Sequence, residues 1–177
     1  MNKDNVIALS GTVGEDVKFA QDICNQIVTA QIGVLDALIT EINANVVDAP
    51  NTDDRAIEQY MLKLVNTLYA LNAKVDNFSF YEAMSDMKAT LAFNAKYSES
   101  QLVATSTGAK TTRDNHQQYA ENNTVDEKIL NLIYSKSVRM LKDKIDGAYE
   151  LLDVLKRILK HHEQEAFFDK QNRVLLG

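Results

Sequence analysis

A chain of 177 residues suffices for one domain with a real core, and its composition excludes a turn-rich β fold: 45% hydrophobic and 7% aromatic residues, no Trp, one Pro and six Gly. The lone cysteine, Cys24, excludes an internal disulfide and any Cys-x-x-Cys metal or redox pair. Net charge is −6, spread unevenly: 7 Lys/Arg against 14 Asp/Glu in residues 1–109, and 12 against 11 in residues 110–177, which argues against broad capture of nucleic acid but leaves room for a local basic face.

Residues 1–11 read as an arm in which Val6 to Leu9 are apolar and Ser10-Gly11 ends the run. Thr12-Val13-Gly14-Glu15 has the spacing of a capping box. The helix after it is expected to set Val17, Ala20, Cys24, Ile27, Gln31, Val34, Leu38 and Ile42 on one face. Asn43 to Asp54, with Pro50, breaks the pattern. Ile57, Met61, Leu64, Leu68, Leu71, Val75 and Phe78 then alternate steps of four and three, the spacing of coiled-coil packing. At Asp76 to Ser79 the apolar phase changes to Phe80, Met84, Met87, Leu91 and Ala95, and Ser79-Phe80-Tyr81-Glu82 has the form of a fresh capping box. This predicts a break or kink at 76–79 and a new helix at 79–103. Residues 104–123 are almost bare of large apolar groups and read as a hairpin tip, with room for two helical turns from Arg113 to Ala120.

Thr124-Val125-Asp126-Glu127 opens the longest helical pattern, with Thr124 expected to accept from a free backbone N–H. Leu130, Tyr134, Ser137, Leu141, Ile145, Ala148, Leu152, Leu155, Leu159, His162 and Ala166 form its stripe. About 45 residues make a rod of roughly 65 Å. The fold class is therefore all-α, an elongated helical bundle with a long antiparallel helical hairpin. It is a single helical domain: arm 1–11, N-terminal helices 13–76, hairpin 79–168 with its tip at 104–123, and tail 169–177. The predicted partner of the long helix is the shorter of the two, so the far end of the stripe is expected to meet the N-terminal helices or another chain. That makes a homo-oligomer or larger protein assembly, with Leu155, Leu159, Phe167 and Phe168 near the contact.

Catalytic chemistry finds no foothold. The residues three before His116, His161 and His162 are Arg113, Ile158 and Leu159, so the Glu-x-x-His of di-metal bundles is missing. Gly11-Thr12-Val13-Gly14 lacks the Lys-Ser/Thr of a phosphate loop, and Cys24 reads as a buried small hydrophobe. No enzyme activity, cofactor or metal is expected. Nor does any stretch look to approach the ~18 apolar residues of a spanning helix, and no membrane partner is expected. A reducing cytoplasm is the simplest home. On the long helix Lys128, Arg139, Lys142, Lys156, Arg157 and Lys160 share one sector, in company with Asp143, Asp146, Glu150 and Asp153. Arg139 with Asp143, Lys142 with Asp146, and Asp153 with Arg157 have the spacing of helix-surface pairs.

The order of a long helix to Tyr97, a polar tip with Gly108-Ala109-Lys110-Thr111-Thr112, a turn at Asp114 to Asn123 and a long helix with Leu151-Leu152-Asp153-Val154-Leu155-Lys156-Arg157-Ile158-Leu159-Lys160 resembles the UvsY-type recombination mediators of tailed phages. The resemblance covers about half the chain, residues 80–168. It implies a non-enzymatic phage protein that forms ring-like oligomers, binds single-stranded DNA and helps load a recombinase in the cytoplasm of a bacterial host. Lys156, Arg157 and Lys160, with Lys142 and Arg139, would then meet phosphates. A different class, a helical structural or assembly protein of a virion or complex, uses the same apolar stripes for protein contacts alone.

Overall fold

The computed structural model describes residues 3–49 and 52–176, with side-chain surroundings for 18–49, 52–168, 170 and 171. The chain is all-α. Helix α1 (Lys3–Ile42), a π-helical turn (Asn43–Val47), α2 (Asp54–Thr107), α3 (Arg113–Asn122) and α4 (Val125–Leu176) follow in order, with no strand among the described residues. The arm expected at 1–11 is helical from Lys3 on, and the tail expected at 169–177 continues α4 to Leu176. One interior glycine costs ~1 kcal/mol in a helix, which is too little to stop one of 40 residues at Ser10-Gly11. Pro50, and the side chains of the expected capping box at Thr12 and Glu15, lie outside the described residues.

Two compact units divide the chain: Met1–Val28 with Val75–Met140, and Thr29–Lys74 with Leu141–Gly177. In the first unit Ala20, Cys24 and Ile133 are buried together, with Ile23, Ile27, Ile129 and Met140 packed around them. The Cys24 thiol donates to the Ile133 carbonyl at 3.4 Å. Ser137, four residues on, is fully buried, and its hydroxyl alone among the described buried side-chain polar atoms has no hydrogen-bond partner. A helical serine normally turns such a hydroxyl onto the carbonyl four residues back, and that carbonyl is the one taken by Cys24.

Helices α2 and α4 also meet in this unit, through Tyr81 with Tyr134, Ser85 with Asn131 and Phe93 with Lys128, so residue numbers rise on one helix as they fall on the other. Gly108, at φ 67°, ends α2, and the Ala109 N–H closes onto the Ala104 carbonyl at 3.1 Å. That is the six-to-one bond of a glycine-terminated helix. Thr112 caps α3 by accepting from the Asn115 N–H at 3.4 Å. Thr124 does not act as the expected acceptor; its buried hydroxyl donates to the Ala120 carbonyl at 2.8 Å and ties the end of α3 to the start of α4.

The second unit buries Ile32, Leu35, Leu38, Ile42 and Val46, then Ile57, Leu64, Leu68 and Leu71, and from α4 Leu141, Ile145, Ala148, Leu152 and Leu155. The stripe expected on α4 is therefore buried from Ser137 to Leu155. On α1 the register differs from expectation: Val28, Ile32 and Leu35 are buried where Ile27, Gln31 and Val34 were expected, and Val34 is 73% exposed. The observed seam takes two large apolar groups, Ile32 and Leu35, in place of a glutamine and a valine. Polar contacts border it: Asp36 with Lys144 at 3.5 Å, the Tyr60 hydroxyl donating to Glu41 at 3.0 Å, and His162 with Asp54 at 2.7 Å.

The break expected at 76–79 is absent. Helix α2 runs unbroken for 54 residues, with no Pro or Gly inside it. Its inward positions keep one heptad phase: Ile57, Leu64, Leu68, Leu71 and Val75 are buried, and Phe78, Glu82, Ala89, Ala92 and Lys96, with buried Ser85 among them, continue the same steps in half-buried positions. The change of apolar phase is real in the sequence, but it marks a second face and not a new helix. Proline at the first position of a fresh helix is tolerated, whereas in a helix interior it costs ~3 kcal/mol or more. Phe80→Pro is therefore expected to lie about 3 kcal/mol below Phe80→Ala in urea unfolding; equal stabilities would mean that a helix starts at Ser79.

Candidate protein interaction surface

The second face of α2 lies in the first unit. Phe80 (63% exposed), Met84 (44%), Met87 (50%) and Leu91 (60%) recur at steps of four, three and four, and all four point away from the inward seam. Tyr81 lies beside them at 51%, and Leu130 of α4 adds 37%. Between α2 and α4, Tyr81, Met84, Met87, Leu91 and Leu130, with Ser85, Lys88 and Tyr134, line an apolar groove of about 420 Å³. Two of its walls are aromatic, Tyr81 standing 5.9 Å from Tyr134, and Phe80 lies outside the groove at 6.2 Å from Tyr81, centroid to centroid. Ser85 forms the floor, its hydroxyl donating to Asn131 at 3.0 Å while Asn131 donates to Asp86 at 3.2 Å. One polar layer of this kind, set among apolar positions, fixes how two helices align. The groove thus combines apolar walls with a polar floor whose hydrogen bonds set the register of α2 against α4.

At the other end of the same unit the tip is organised by His116, which is buried although the sequence marks this region as polar. Its Nδ1 lies 2.8 Å from the Ser100 hydroxyl and its Nε2 2.9 Å from the Thr111 hydroxyl, and its ring meets Tyr97 edge-on at 5.8 Å. Each hydroxyl both donates and accepts, so either ring tautomer is satisfied. The imidazole therefore pins the loop 108–112 to α2. Nearby, Glu99 accepts from Lys96 at 2.8 Å and from the Tyr119 hydroxyl at 3.3 Å. The Lys96 hydrogen bond and charge hold the Glu99 carboxyl below its usual range.

The residues expected to meet phosphates are all exposed: Arg139 in the first unit, and Lys142, Lys156, Arg157 and Lys160 in the second. Lys156 is engaged, its ammonium 2.8 Å from Asp153, and that hydrogen bond and charge, with a contribution from Arg157, depress the Asp153 carboxyl. The pairs expected at i, i+4 are not formed within 4 Å; Lys156 instead reaches Asp153 at i−3 and Lys144 reaches Asp36 on α1. The shorter step leaves Arg157 pointing to solvent. His161 faces Glu165 at 3.5 Å.

Of the expected oligomer contacts, Leu155 is fully buried by its own chain and is not available to another. Leu159 is half-buried, and Phe167 and Phe168 are exposed and edge-to-face at 6.1 Å. The expectation that no stretch is apolar enough to span a membrane is also corrected: Lys18–Val47 is long and apolar enough by length and composition, with a best window of mean hydropathy 1.4. Only Asp36 and Glu41 are charged between Cys24 and Ile42. The large side chains Ile32, Leu35, Leu38 and Ile42 of that stretch are nevertheless buried in the protein.

Comparison of the chain with protein-family models, with curated proteins and with solved structures finds no match. The exposed stripe Phe80–Leu91 is legible in the sequence as an apolar run at heptad spacing, a spacing that does not distinguish a core face from an exposed one. His116 carried no pattern that distinguished it from a solvated loop residue.

Removing the imidazole leaves Ser100 and Thr111 without their buried partner, a loss worth ~1–3 kcal/mol. His116→Ala is expected to lower stability by about that much and to speed amide exchange in residues 108–112 selectively. Unchanged exchange there would show that the loop is held by other contacts.

Proposed function

We propose that this chain is a helical assembly protein that works through helix–helix docking and not through catalysis. The observation that carries the reading is the outward heptad stripe of α2. Four large side chains at coiled-coil spacing, three of them over a groove with a polar floor, are 44–63% exposed, so each forfeits about half of the ~1.5–3 kcal/mol that full burial gives. Ser100 and Thr111 stand on the two nitrogens of His116, but no carboxylate orients the ring and the imidazole is buried, so His116 is read as a packing residue. In sedimentation at micromolar concentration the wild-type chain is expected above its monomer mass of 19.9 kDa. Met84→Asp combined with Met87→Asp is expected to shift it toward monomer without loss of helix content, since both residues are half exposed. A monomeric wild type whose variant matches it in mass and solubility would end this reading.

The second reading is a single-stranded-DNA-binding accessory protein of the UvsY type, acting with a recombinase. What supports it is the residue pattern of 80–168 and the exposure of Arg139, Lys142, Lys156, Arg157 and Lys160. Against it stand Asp143, Asp146, Glu150 and Asp153 on the same helix, and the ion pair that occupies Lys156. Phosphate contacts by three cations would cut oligonucleotide affinity by about 10- to 50-fold between 50 and 200 mM salt, from the release of bound counterions. Replacing Lys156, Arg157 and Lys160 with Glu is then expected to abolish binding; affinity that survives this change would sink the DNA reading.

A further inference from the structure

The geometry points to a second copy of this chain as the occupant of the Phe80–Leu91 stripe, docked with the two α2 helices antiparallel about a two-fold axis. This rests on the assembly reading and names its partner. Heptad spacing selects the kind of occupant. A stripe at steps of four, three and four stays in contact only with another helix crossing at a small angle. The size permits a stable contact: the exposed parts of Phe80, Tyr81, Met84, Met87, Leu91 and Leu130 amount to on the order of 600 Å² per chain, the low end of the ~600–1,000 Å² each partner contributes to a standard interface.

The chemistry of the flanks then selects the chain itself. Beside the stripe stand Tyr81, Ala83, Lys88, Thr90 and Ala95, so Lys88 is the single charge among them and two copies do not repel. A self-complementary patch of this kind closes as a two-fold dimer. In the antiparallel alignment Phe80 packs on the partner's Leu91 and Met84 on the partner's Met87, so every layer sets unlike side chains together. Lys88 falls over the ring of the partner's Tyr81, a cation–π contact. A parallel alignment would stack each side chain on its own copy and leave Lys88 beside the partner's Ala83. Met84 and Met87 suit the centre, because unbranched thioethers adapt to a facing surface.

Cysteine pairing in full-length protein carrying Cys24→Ala tests the arrangement. A disulfide needs Cα atoms within about 7 Å, which the antiparallel contact provides between position 84 of one chain and position 87 of the other. Met84→Cys and Met87→Cys proteins, each oxidised alone, are expected to give little dimer, and their mixture to give a disulfide dimer containing one of each. An Ala73→Cys control, in the second unit, is expected to give none. Disulfide dimers formed by each variant alone would overturn the antiparallel alignment. An oligomeric wild type whose mixed cysteines do not cross-link would overturn this inference while leaving the assembly reading intact, with a different surface as its contact. If Cys substitution perturbs the contact itself, Met84→Asp alone decides: the second-copy contact predicts self-association weakened by about 100-fold or more in dilution, and unchanged self-association overturns it.

Discussion

An α-helix has one backbone and a fixed angle of about 100° between successive residues, so a helix that keeps a single seam for its whole length must present every other residue elsewhere. Helix α2 is held to this rule for 54 residues. Its inward positions follow one heptad phase from Ile57 to Lys96, apolar as far as Phe78 and small or polar after it. The large apolar side chains after residue 79 belong to a different phase, and with no proline or glycine to reset the helix they remain outside. The exposed groove, the absence of a second α2 helix and the proposed mode of action all follow from that continuity.

Weak packing along the inward face of the first unit is offset by polar contacts that define alignment. Ser85, Asn131 and Asp86 make a chain of two hydrogen bonds across α2 and α4, and Lys128 lies 5.8 Å over the Phe93 ring. His116 performs the corresponding task at the tip, where two hydroxyls 11 residues apart, Ser100 and Thr111, meet on its ring. Such contacts contribute little net stability individually. They favour one helix alignment over others, because an alternative alignment would lose the Ser85–Asn131–Asp86 hydrogen bonds and the Ser100–His116 contact. Ser137 shows the cost directly, being buried with its usual carbonyl already accepting from Cys24.

The second unit is built differently. Its α1, α2 and α4 segments contribute large apolar groups at most inward positions, and its charged side chains form pairs at the rim, with Lys63 of α2 at 3.8 Å from Glu41 and Lys144 of α4 at 3.5 Å from Asp36 of α1. Exposed pairs of this kind contribute at most ~1 kcal/mol and are screened by salt. The basic residues toward the end of α4 are therefore interleaved with acids in a solvated face, and one of them, Lys156, spends its charge on Asp153.

The all-α class, the helix starts near Asp54 and Val125, the short helix after Thr112 and the buried stripe of α4 from Ser137 to Leu155 were determined by the sequence itself. Each depends on local spacing, on caps, or on periodicity within one helix, and those operate over a few residues. Only tertiary structure decided which of two apolar phases on α2 faces inward, because both have legitimate heptad spacing and the choice depends on what α4 offers opposite, Asn131 and Tyr134 included. It likewise decided that Leu155 is covered, that α1 seats Ile32 and Leu35 in place of Gln31 and Val34, and that His116 is buried. Burial is a property of the neighbours a side chain meets across tens of residues of chain, and periodicity along one helix carries no record of them.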